Sequence, residues 1–520
     1  MKKIAILLTS VFLICLVPTI TFAQLSSQKI DSLVTDALVK FKVAGVAVAV
    51  VKDGKVIHSI GYGMADINSK KMVNENTNFQ IASNTKAFTA TALAILEEEG
   101  KLKWTDKVKD HIPEFKMYTD YVTEHFNIQD LLTHRSGLGL GVGDLMFFPD
   151  GSNFTIKDVV SSFQHFKPVS AFRTKFDYDN LLYIVAGEVI ARASGMPFEL
   201  FVQKRIIEPL QMNNSFVGSL LKDKSNLSAA YSSESGTIKK IDSYDIGMGD
   251  AAGGIYSNVA DMSKWMIVRL NKGMYGNDLK KSLFSLKNHK EMWRIHTVEE
   301  ASSNPRYNSH FRGYGLGWEL SDVKGNMKVS HTGGLPGMLS IVTMYPDLNL
   351  GIVVLTNTEN GGAGLFTSVT NSISDSYLGL DDFGWTDKIV EWMKESKDKG
   401  DDVTKKVWEK VESAKNIQIK NEDFIGIYED KWFGKVEVFE KDKQLWIKCY
   451  RSPKLNGPMA FYNANSFAIK WEYQAMNCDA FAMFSLDETG KAESIKMKGI
   501  SPNIDFSFDF QDLDLKRVDK

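Results

Sequence analysis

The 520-residue chain is longer than one hydrophobic core normally supports, so its length predicts two folded units with ample apolar material for a large main core. Its 62 basic and 64 acidic residues give a net charge of −2, and no basic cluster with interleaved aromatic side chains occurs, which argues against nucleic acid binding. No apolar run beyond residue 23 is long enough to span a bilayer as a helix.

The first 23 residues have the pattern of a secretory signal peptide. Lys2 and Lys3 precede an apolar run over 4–20, and Ala23 supplies the small residue expected at a cleavage site. An uncleaved anchor is the alternative, and the small residue at 23 favours removal. We therefore expect an exported protein, either periplasmic or secreted.

Two apolar runs around an Asp-Gly pair predict a β-hairpin near the N-terminus of the mature chain. The runs cover residues 46–51 and 56–63, and an Asp-Gly pair in this position is among the strongest short hairpin signals. The next predicted element is a helix that starts near Ser83 and is ended by Gly100, a residue suited to a helix C-terminus.

Ser83 would lie in the first turn of this helix, where free backbone N–H groups and the positive end of the dipole favour a developing anion. Lys86 is three residues further on, so its side chain is expected over the same face as the serine hydroxyl. A lysine held neutral can take the serine proton and so make a nucleophile. The spacing alone is common, since Ser26, Ser219 and Ser321 also precede a lysine by three residues. An ordinary solvated helix start is therefore the alternative.

The region from about residue 105 onward mixes helices with long loops. The alternating glycines over 138–143 have no leading strand and open no helix, so we predict a flexible loop there rather than a cofactor site. Strands at both ends of residues 24–380, with helices between and after them, predict an antiparallel sheet flanked by helices plus a helical subdomain, of the α/β (α+β) class. Helices are predicted over 155–166, 180–194, 197–207, 258–272 and 366–377, and strands over 315–320, 327–330, 340–345 and 351–357.

The composition changes to Lys, Glu, Asp and Trp over 381–418, where alternating charge signs predict a linker of two exposed helices. Short alternating strands, such as 445–448, then predict a small all-β domain over 419–520. A stabilising or dimerising module is the simple interpretation. The alternative is a domain that shapes a cleft or binds a polymer. Cys449 and Cys478 form either one disulfide or two buried thiols.

Three short motifs occur in order along the first unit: Ser83-x-x-Lys86, Tyr178-Asp179-Asn180 and His331-Thr332-Gly333. In this order they resemble the motifs of the serine β-lactamase and penicillin-binding protein superfamily. The Tyr-x-Asn form resembles its class C-like branch, which includes D-Ala-D-Ala carboxypeptidases, D-aminopeptidases and esterases. The resemblance covers residues from about 30 to 380 and implies a serine β-lactamase-like fold. It places the active site where the sheet meets the helical subdomain, and the second unit is similar to the small β-domain often appended to such hydrolases.

The resemblance also implies a reaction, acyl transfer. The serine oxygen attacks a carbonyl, a lysine–tyrosine pair takes the proton, and an acyl-enzyme forms and is hydrolysed. Either the tyrosine is a phenolate stabilised by the lysine charge or the lysine is itself the neutral base, and the sequence leaves this open. The oxyanion would bind backbone N–H groups of Ser83 and Gly334. The implied catalytic residues are Ser83, Lys86 and Tyr178, and the implied substrate-binding residues are Asn180, His331, Thr332, Gly333 and Gly334.

Four further side chains qualify this assignment. Asn180 is expected to bind a substrate amide and hold the lysine, and Asp179, where a small residue is commoner, is expected to point away. His331 stands where many β-lactamases have lysine, and a neutral imidazole anchors a substrate carboxylate weakly, which favours a peptidase or esterase. His134 is expected to be structural. No Gly-x-Ser-x-Gly elbow and no His-Glu-x-x-His metal motif occurs, so neither α/β-hydrolase nor metalloprotease chemistry is predicted, and no metal site is expected.

The leading hypothesis is an exported serine acyl-hydrolase that acts on D-amino-acid peptides, amides or esters. The alternatives are a class C-like β-lactamase and a weakly active penicillin-binding sensor or scaffold that acts through the β-rich domain. The expected partners are a small peptide, amide, ester or β-lactam substrate and, as a further candidate, peptidoglycan. We predict no cofactor, and the sequence does not indicate an oligomeric state.

Overall fold

The computed structural model describes residues 24–221, 225–233 and 236–518, without the side chains of residues 397–401. The signal peptide predicted for residues 1–23 lies outside the described residues and stays a prediction.

A nine-stranded antiparallel sheet forms the middle of the first unit. Strands from the two ends of the unit meet in it, because Gly45–Lys52 pairs with Leu350–Thr356. The predicted antiparallel sheet and its N-terminal hairpin are thereby confirmed. In spatial order the strands are Thr297–Glu299, Arg312–Tyr314, Glu319–Val323, Asn326–Leu335, Met338–Tyr345, Leu350–Thr356, Gly45–Lys52, Lys55–Asp66 and Lys71–Met72.

The strand Gly45–Lys52 is buried on both faces. Val46 and Val48 belong to one hydrophobic core, whereas Ala47 and Ala49 belong to the other, because successive side chains of a strand point to opposite faces. Helices cover both faces of the sheet, which explains why this strand reads as a continuous apolar run.

The helices that cover the sheet include the one that follows the serine motif. This helix, Lys86–Glu98, is buried from its first residue to Leu96. Two other predicted helices are confirmed as Leu181–Ser194 and Val259–Leu270, the second capped by Asn258. The other α-helices of this unit are Ser27–Lys40, Val108–His111, Asp120–His125, Ile128–Leu132, Ile156–Ser162, Phe198–Val202, Asp250–Gly253, Leu286–Met292 and Gly361–Tyr377.

Two helices differ in extent from their predictions. The helix predicted over 155–166 ends at Ser162, and the one over 197–207 changes from α-helix to a wider π-type turn after Val202. No single helix among the described residues is long and apolar enough to cross a membrane, although Leu181–Ser194 and the bent segment after it pass the length and composition test together.

The strand predicted over 315–320 is wrong for its first four residues. Residues 315–318 form the bend between the strands Arg312–Tyr314 and Glu319–Val323, and only Glu319 and Leu320 lie in a strand. Gly317 has a φ of +77°, and a Cβ there would lie 2.8 Å from the carbonyl oxygen of Lys86. The glycine thus lets the bend approach the helix that carries the lysine, which an apolar and aromatic composition could not reveal.

The second unit is a closed eight-stranded antiparallel barrel, called the barrel below. This confirms the predicted all-β domain. Cys449 and Cys478 are separate buried thiols, so the disulfide interpretation is wrong. Burial raises the pKa of both thiols. The barrel strands are Gly426–Asp430, Gly434–Lys441, Gln444–Cys449, Asn456–Asn463, Ser466–Ile469, Ala480–Leu486, Ala492–Gly499 and Leu515–Arg517.

A single helix, Trp385–Ala414, replaces the two linker helices predicted within residues 381–418. Ile389 near its start packs into a core of the first unit, and Val407 near its end packs against the barrel. The helix runs through Gly400, and one interior glycine costs a helix only about 1 kcal/mol. Contacts at both ends outweigh that cost.

The barrel packs directly on the helical subdomain. The rings of Phe154 and Phe433 lie 5.7 Å apart, and Arg451 donates to the Asp158 carboxylate at 2.9 and 3.0 Å. Buried side chains of both units form one continuous hydrophobic cluster. The relative position of barrel and subdomain therefore rests on apolar packing as well as on ion pairs.

The loop predicted to be flexible over 138–143 is instead held by the barrel. Gly141 has a φ of +69°, and a Cβ there would lie 2.7 Å from the ring of Phe506. The backbone N–H of Gly143 donates to the Asp509 carboxylate at 2.6 Å. These glycines allow the loop to pack closely against the other domain, and no local sequence pattern indicates such a contact.

A stability prediction arises from Asp130, whose side chain is fully buried. Its carboxylate accepts hydrogen bonds from Arg135 Nε at 3.1 Å and Arg173 Nε at 2.9 Å, and from the backbone N–H of Asn127 at 3.0 Å. Asp130→Asn removes the negative charge and leaves two guanidinium groups opposite a neutral amide. We expect the free energy of unfolding to fall by about 3 kcal/mol in urea denaturation. The exposed Asp402→Asn is the control, and equal midpoints for the two variants would contradict the prediction.

Candidate active site

The nucleophile turn, Ala82–Thr85, is a 3-10 turn placed before the α-helix, which begins only at Lys86. Its first residue has a φ of +47°, so the backbone is held in a region that residues with a Cβ rarely adopt. Ser340 Oγ donates to the Ile81 carbonyl oxygen at 2.8 Å and so ties the turn to the sheet. Ser83 is partly exposed, at a strained and fixed position.

Lys86 is fully buried, and its Nζ lies 3.0 Å from Ser83 Oγ, 2.7 Å from Asn180 Oδ1 and 3.0 Å from the Ala252 carbonyl oxygen. Burial lowers the pKa of this lysine to about 7, although two nearby carboxylates partly oppose the shift. A neutral amine can donate to the two carbonyl oxygens and accept the serine proton on its lone pair. The geometry suits a base directed at the serine.

Tyr178 lies beside the serine and the lysine. Its ring centroid is 4.8 Å from Lys86 Nζ, and the Ser83 side chain is near enough to its phenol to lower the phenol pKa slightly. Burial raises the pKa of the phenol well above its ordinary value. The shifts in lysine and tyrosine both favour the uncharged form of the pair, so the geometry supports a neutral lysine rather than a phenolate.

The His-Thr-Gly motif lies within the strand Asn326–Leu335, which pairs with Met338–Tyr345. The strand predicted over 327–330 therefore continues through the motif instead of ending before it. A Cβ on Gly333 would lie 2.2 Å from the Ile81 carbonyl oxygen, so only glycine lets this strand lie against the nucleophile turn. Gly334 is exposed in the cavity instead.

His331 is buried and has a partner at each ring nitrogen. Nδ1 lies 2.5 Å from the Thr332 carbonyl oxygen, which can only accept, so Nδ1 carries the proton. Nε2 then accepts from the Tyr314 hydroxyl at 2.8 Å. Burial and the Lys86 charge lower the pKa of His331 to about 3. The imidazole is neutral at physiological pH, which agrees with a weak carboxylate anchor.

His134 and Asp179 have structural contacts, as expected. The backbone N–H of Asp179 donates to His134 Nδ1 at 3.1 Å, and the His134 ring lies 4.2 Å from that of Tyr178. The Asp179 carboxylate accepts the backbone N–H of Leu182 at 3.2 Å and is fully buried. The acid therefore holds the start of the helix that follows and does not face the substrate cavity.

A cavity of about 300 Å³ brings the predicted residues together. Lys86 lies beneath it, and Gly333 packs behind it. The barrel supplies part of the wall through Phe506, so the domain shapes the cleft, as one of the two interpretations held. Their roles in catalysis and binding remain predictions. The predicted residues on the cavity surface are Ser83, Tyr178, Asn180, His331, Thr332 and Gly334.

Sequence reasoning missed several polar side chains that support these residues. Ser340 orders the nucleophile turn, Tyr314 orients His331, and Asp144 accepts from Asn180 Nδ2 at 2.8 Å. None of them belongs to one of the three motifs, so no spacing in the sequence pointed to them. Within the described part of the chain, no group of three or more His, Cys, Asp or Glu side chains could hold a metal ion.

The fold and the site define the class: a serine hydrolase of the β-lactamase and penicillin-binding protein superfamily. The chain belongs to the family described as Beta-lactamase, whose profile matches residues 30–367, more than half of the chain. Residues 418–517 match a Domain of unknown function (DUF3471).

Named relatives extend this comparison. The "Protein flp" of Staphylococcus aureus (strain MW2) is 29% identical over 341 residues, covering 64% of this chain and 64% of that protein. The chain thus spans less than two thirds of the length of the first relatives that it matches. The "Unguisins hydrolase ungD" of Aspergillus violaceofuscus is 28% identical over 384 residues, covering 69% and 66%. The octameric penicillin-binding protein homologue from Pyrococcus abyssi shares the fold, with a TM-score of 0.60, 20% identity, and coverage of 94% of this chain and 100% of that chain.

Proposed function

We propose that this protein is an exported serine acyl-hydrolase that cleaves amides, peptides or esters of D-amino acids through an acyl-enzyme on Ser83. The observation that carries the proposal is the 3.0 Å contact between Ser83 Oγ and the buried Lys86 Nζ. Membership of the β-lactamase family supports the D-amino-acid class of substrate, and the leader pattern of residues 1–23 supports export.

In the proposed reaction neutral Lys86 accepts the proton of Ser83 as Oγ attacks the substrate carbonyl. The oxyanion binds the backbone N–H groups of Ser83 and Gly334, and one such donor typically contributes on the order of 3 kcal/mol. Tyr178 passes a proton to the leaving group and is reprotonated by the lysine. Water then attacks the acyl-enzyme, and the same groups carry its proton in reverse.

The charge of the cavity supports a peptidase or esterase over a β-lactamase. Among the described residues that line it, the charged side chains are the acids Glu319, Glu359 and Asp505, of which Glu319 lies 3.6 Å from the Arg312 guanidinium. Like charges repel, so this lining disfavours the carboxylate that penicillins carry. Neutral esters and D-aminoacyl amides with a free amino group meet no such penalty. The neutral His331 offers no compensating positive charge.

The test uses p-nitrophenyl acetate, D-alanine p-nitroanilide, its L-enantiomer and a penicillin, with intact-mass spectrometry beside the rates. We expect turnover of the ester and of the D-anilide well above that of the L-anilide, with slow acylation by penicillin. Rapid consumption of penicillin without a lasting adduct would favour the β-lactamase alternative. A stable penicillin adduct without turnover of any substrate would favour the sensor or scaffold.

A further inference from the structure

A chain of hydrogen bonds leads from the catalytic lysine into the barrel. Lys86 Nζ donates to Asn180 Oδ1 at 2.7 Å, and Asn180 Nδ2 donates to Asp144 Oδ2 at 2.8 Å. An amide has one acceptor side and one donor side. An acceptor at Asp144 therefore fixes the amide with its oxygen facing the lysine. Without that acceptor the amide could turn and present its NH2 group to the amine.

Asp144 is fully buried, on the short 3-10 turn Asp144–Met146. Ser507 Oγ of the barrel domain donates at 2.8 Å to the same oxygen that receives Asn180. The other oxygen, Oδ1, has no protein partner among the described residues. Burial raises the pKa of this carboxyl well above its ordinary value. Because two donors bind the same oxygen, the Asp144 carboxyl group is held in place whether it is charged or protonated.

A second barrel residue holds the turn itself. The fully buried Asp509 carboxylate accepts the backbone N–H of Gly143 at 2.6 Å and that of Leu145 at 2.9 Å. These N–H groups flank Asp144 on either side. Buried N–H groups without an acceptor cost free energy, so the turn depends on the barrel for its conformation. Neighbouring Phe506 packs against Tyr178, with ring centroids 5.9 Å apart.

We propose that the barrel completes the catalytic site: Asp144 is a positioning residue for Asn180 and Lys86, and Ser507 acts through Asp144. This inference rests on the proposed function, since it assigns these groups a part in activating Ser83. Asp144 does not line the cavity, so its loss should lower kcat and leave KM nearly unchanged. Ser507 forms part of the cavity wall, so its role is decided by kcat and by the double-mutant cycle rather than by KM.

The experiment measures kcat and KM for p-nitrophenyl acetate in the full-length protein, together with thermal midpoints. We expect Asp144→Ala to lower kcat about 100-fold with KM within about threefold of the parent value, and Ser507→Ala to lower kcat about 10-fold. Ser507→Thr keeps the hydroxyl and should restore most of the rate. The control is Ser485→Ala, an exposed serine on a barrel strand, which should have the parent rate.

A double-mutant cycle separates positioning from general loss of structure. If Ser507 acts through Asp144, the double variant Asp144→Ala/Ser507→Ala should have the same kcat as Asp144→Ala alone. Additive losses, or a kcat within twofold of the parent for Ser507→Ala, would overturn the inference while the parent still acylates Ser83. If the parent protein itself forms no acyl-enzyme, the proposed function fails and the inference fails with it. Should Asp144→Ala not fold, Ser507→Ala and Ser507→Thr alone decide the outcome.

Discussion

Ser83→Ala is expected to form no acyl-enzyme and to lower kcat by roughly 10⁴-fold or more. The reason is that alanine removes the hydroxyl that lies in the cavity and 3.0 Å from the buried Lys86 amine. A covalent mechanism retains only the rate supplied by substrate binding and oxyanion stabilisation once its nucleophile is lost. Initial rates on p-nitrophenyl acetate and the intact mass after exposure to penicillin measure the two effects.

The matched control for this variant is Ser321→Ala. Ser321 also precedes a lysine by three residues, but it lies on the strand Glu319–Val323 outside the cavity lining. Its substitution should leave the rate and the adduct unchanged. Turnover by the Ser83→Ala protein at the parent rate would end the acyl-enzyme mechanism, and loss of activity in both variants would point to a general effect on folding.

The second large effect concerns the protonation of Lys86. Burial lowers its pKa to about 7, and only the neutral amine can accept the serine proton. Below pH 7 the neutral fraction falls tenfold per unit, so kcat/KM for a neutral ester should fall with a slope near one and level off above pH 8. Lys86→Arg should lower kcat at least about 10³-fold at every pH tested, because a guanidinium stays protonated.

Another group titrates in the same range and has to be separated from the lysine. Burial raises the pKa of Asp179 to about 7. The Asp179 carboxylate faces Leu182 rather than the cavity. The Asp179→Asn protein should therefore still show the fall in kcat/KM below pH 7, called the acid limb of the pH profile. His331, with a pKa of about 3, should contribute no limb between pH 5 and 8. A limb that disappears in Asp179→Asn would assign the titration to the carboxyl and contradict the role proposed for the lysine.

Local chemistry explains which parts of the fold could be predicted. The Asp-Gly hairpin and the helix that ends before Gly100 depend on turn and cap preferences within a few residues, and both are present. The strand wrongly extended over 315–318 and the linker wrongly divided into two helices share another cause. The backbone at 315–318 is shaped by the Lys86 helix that it approaches, and the linker helix is held by the cores that pack against its two ends.

In the candidate site, too, the features set by local sequence could be predicted and those set by distant contacts could not. Three motifs sufficed to predict that Ser83, Lys86 and Tyr178 would meet, because each motif is short and its order is characteristic. The contact between Asp144 and Ser507 joins positions 363 residues apart and uses two side chains that occur anywhere in proteins. Without homologous sequences, no pattern in a single chain could pair them. The polar side chains that support the site could therefore be identified only from the structure.

The hydrogen bonds from the turn around Asp144 to Asp509 imply that this turn is completed only after residue 509 has been synthesised. A ribosome delivers the helical subdomain long before it delivers residue 509, and until then the N–H groups of Gly143 and Leu145 lack their acceptor. A nascent chain could build most of the first core and still hold its lysine loosely. Under the proposed function, hydrolytic competence arises last, when the barrel closes.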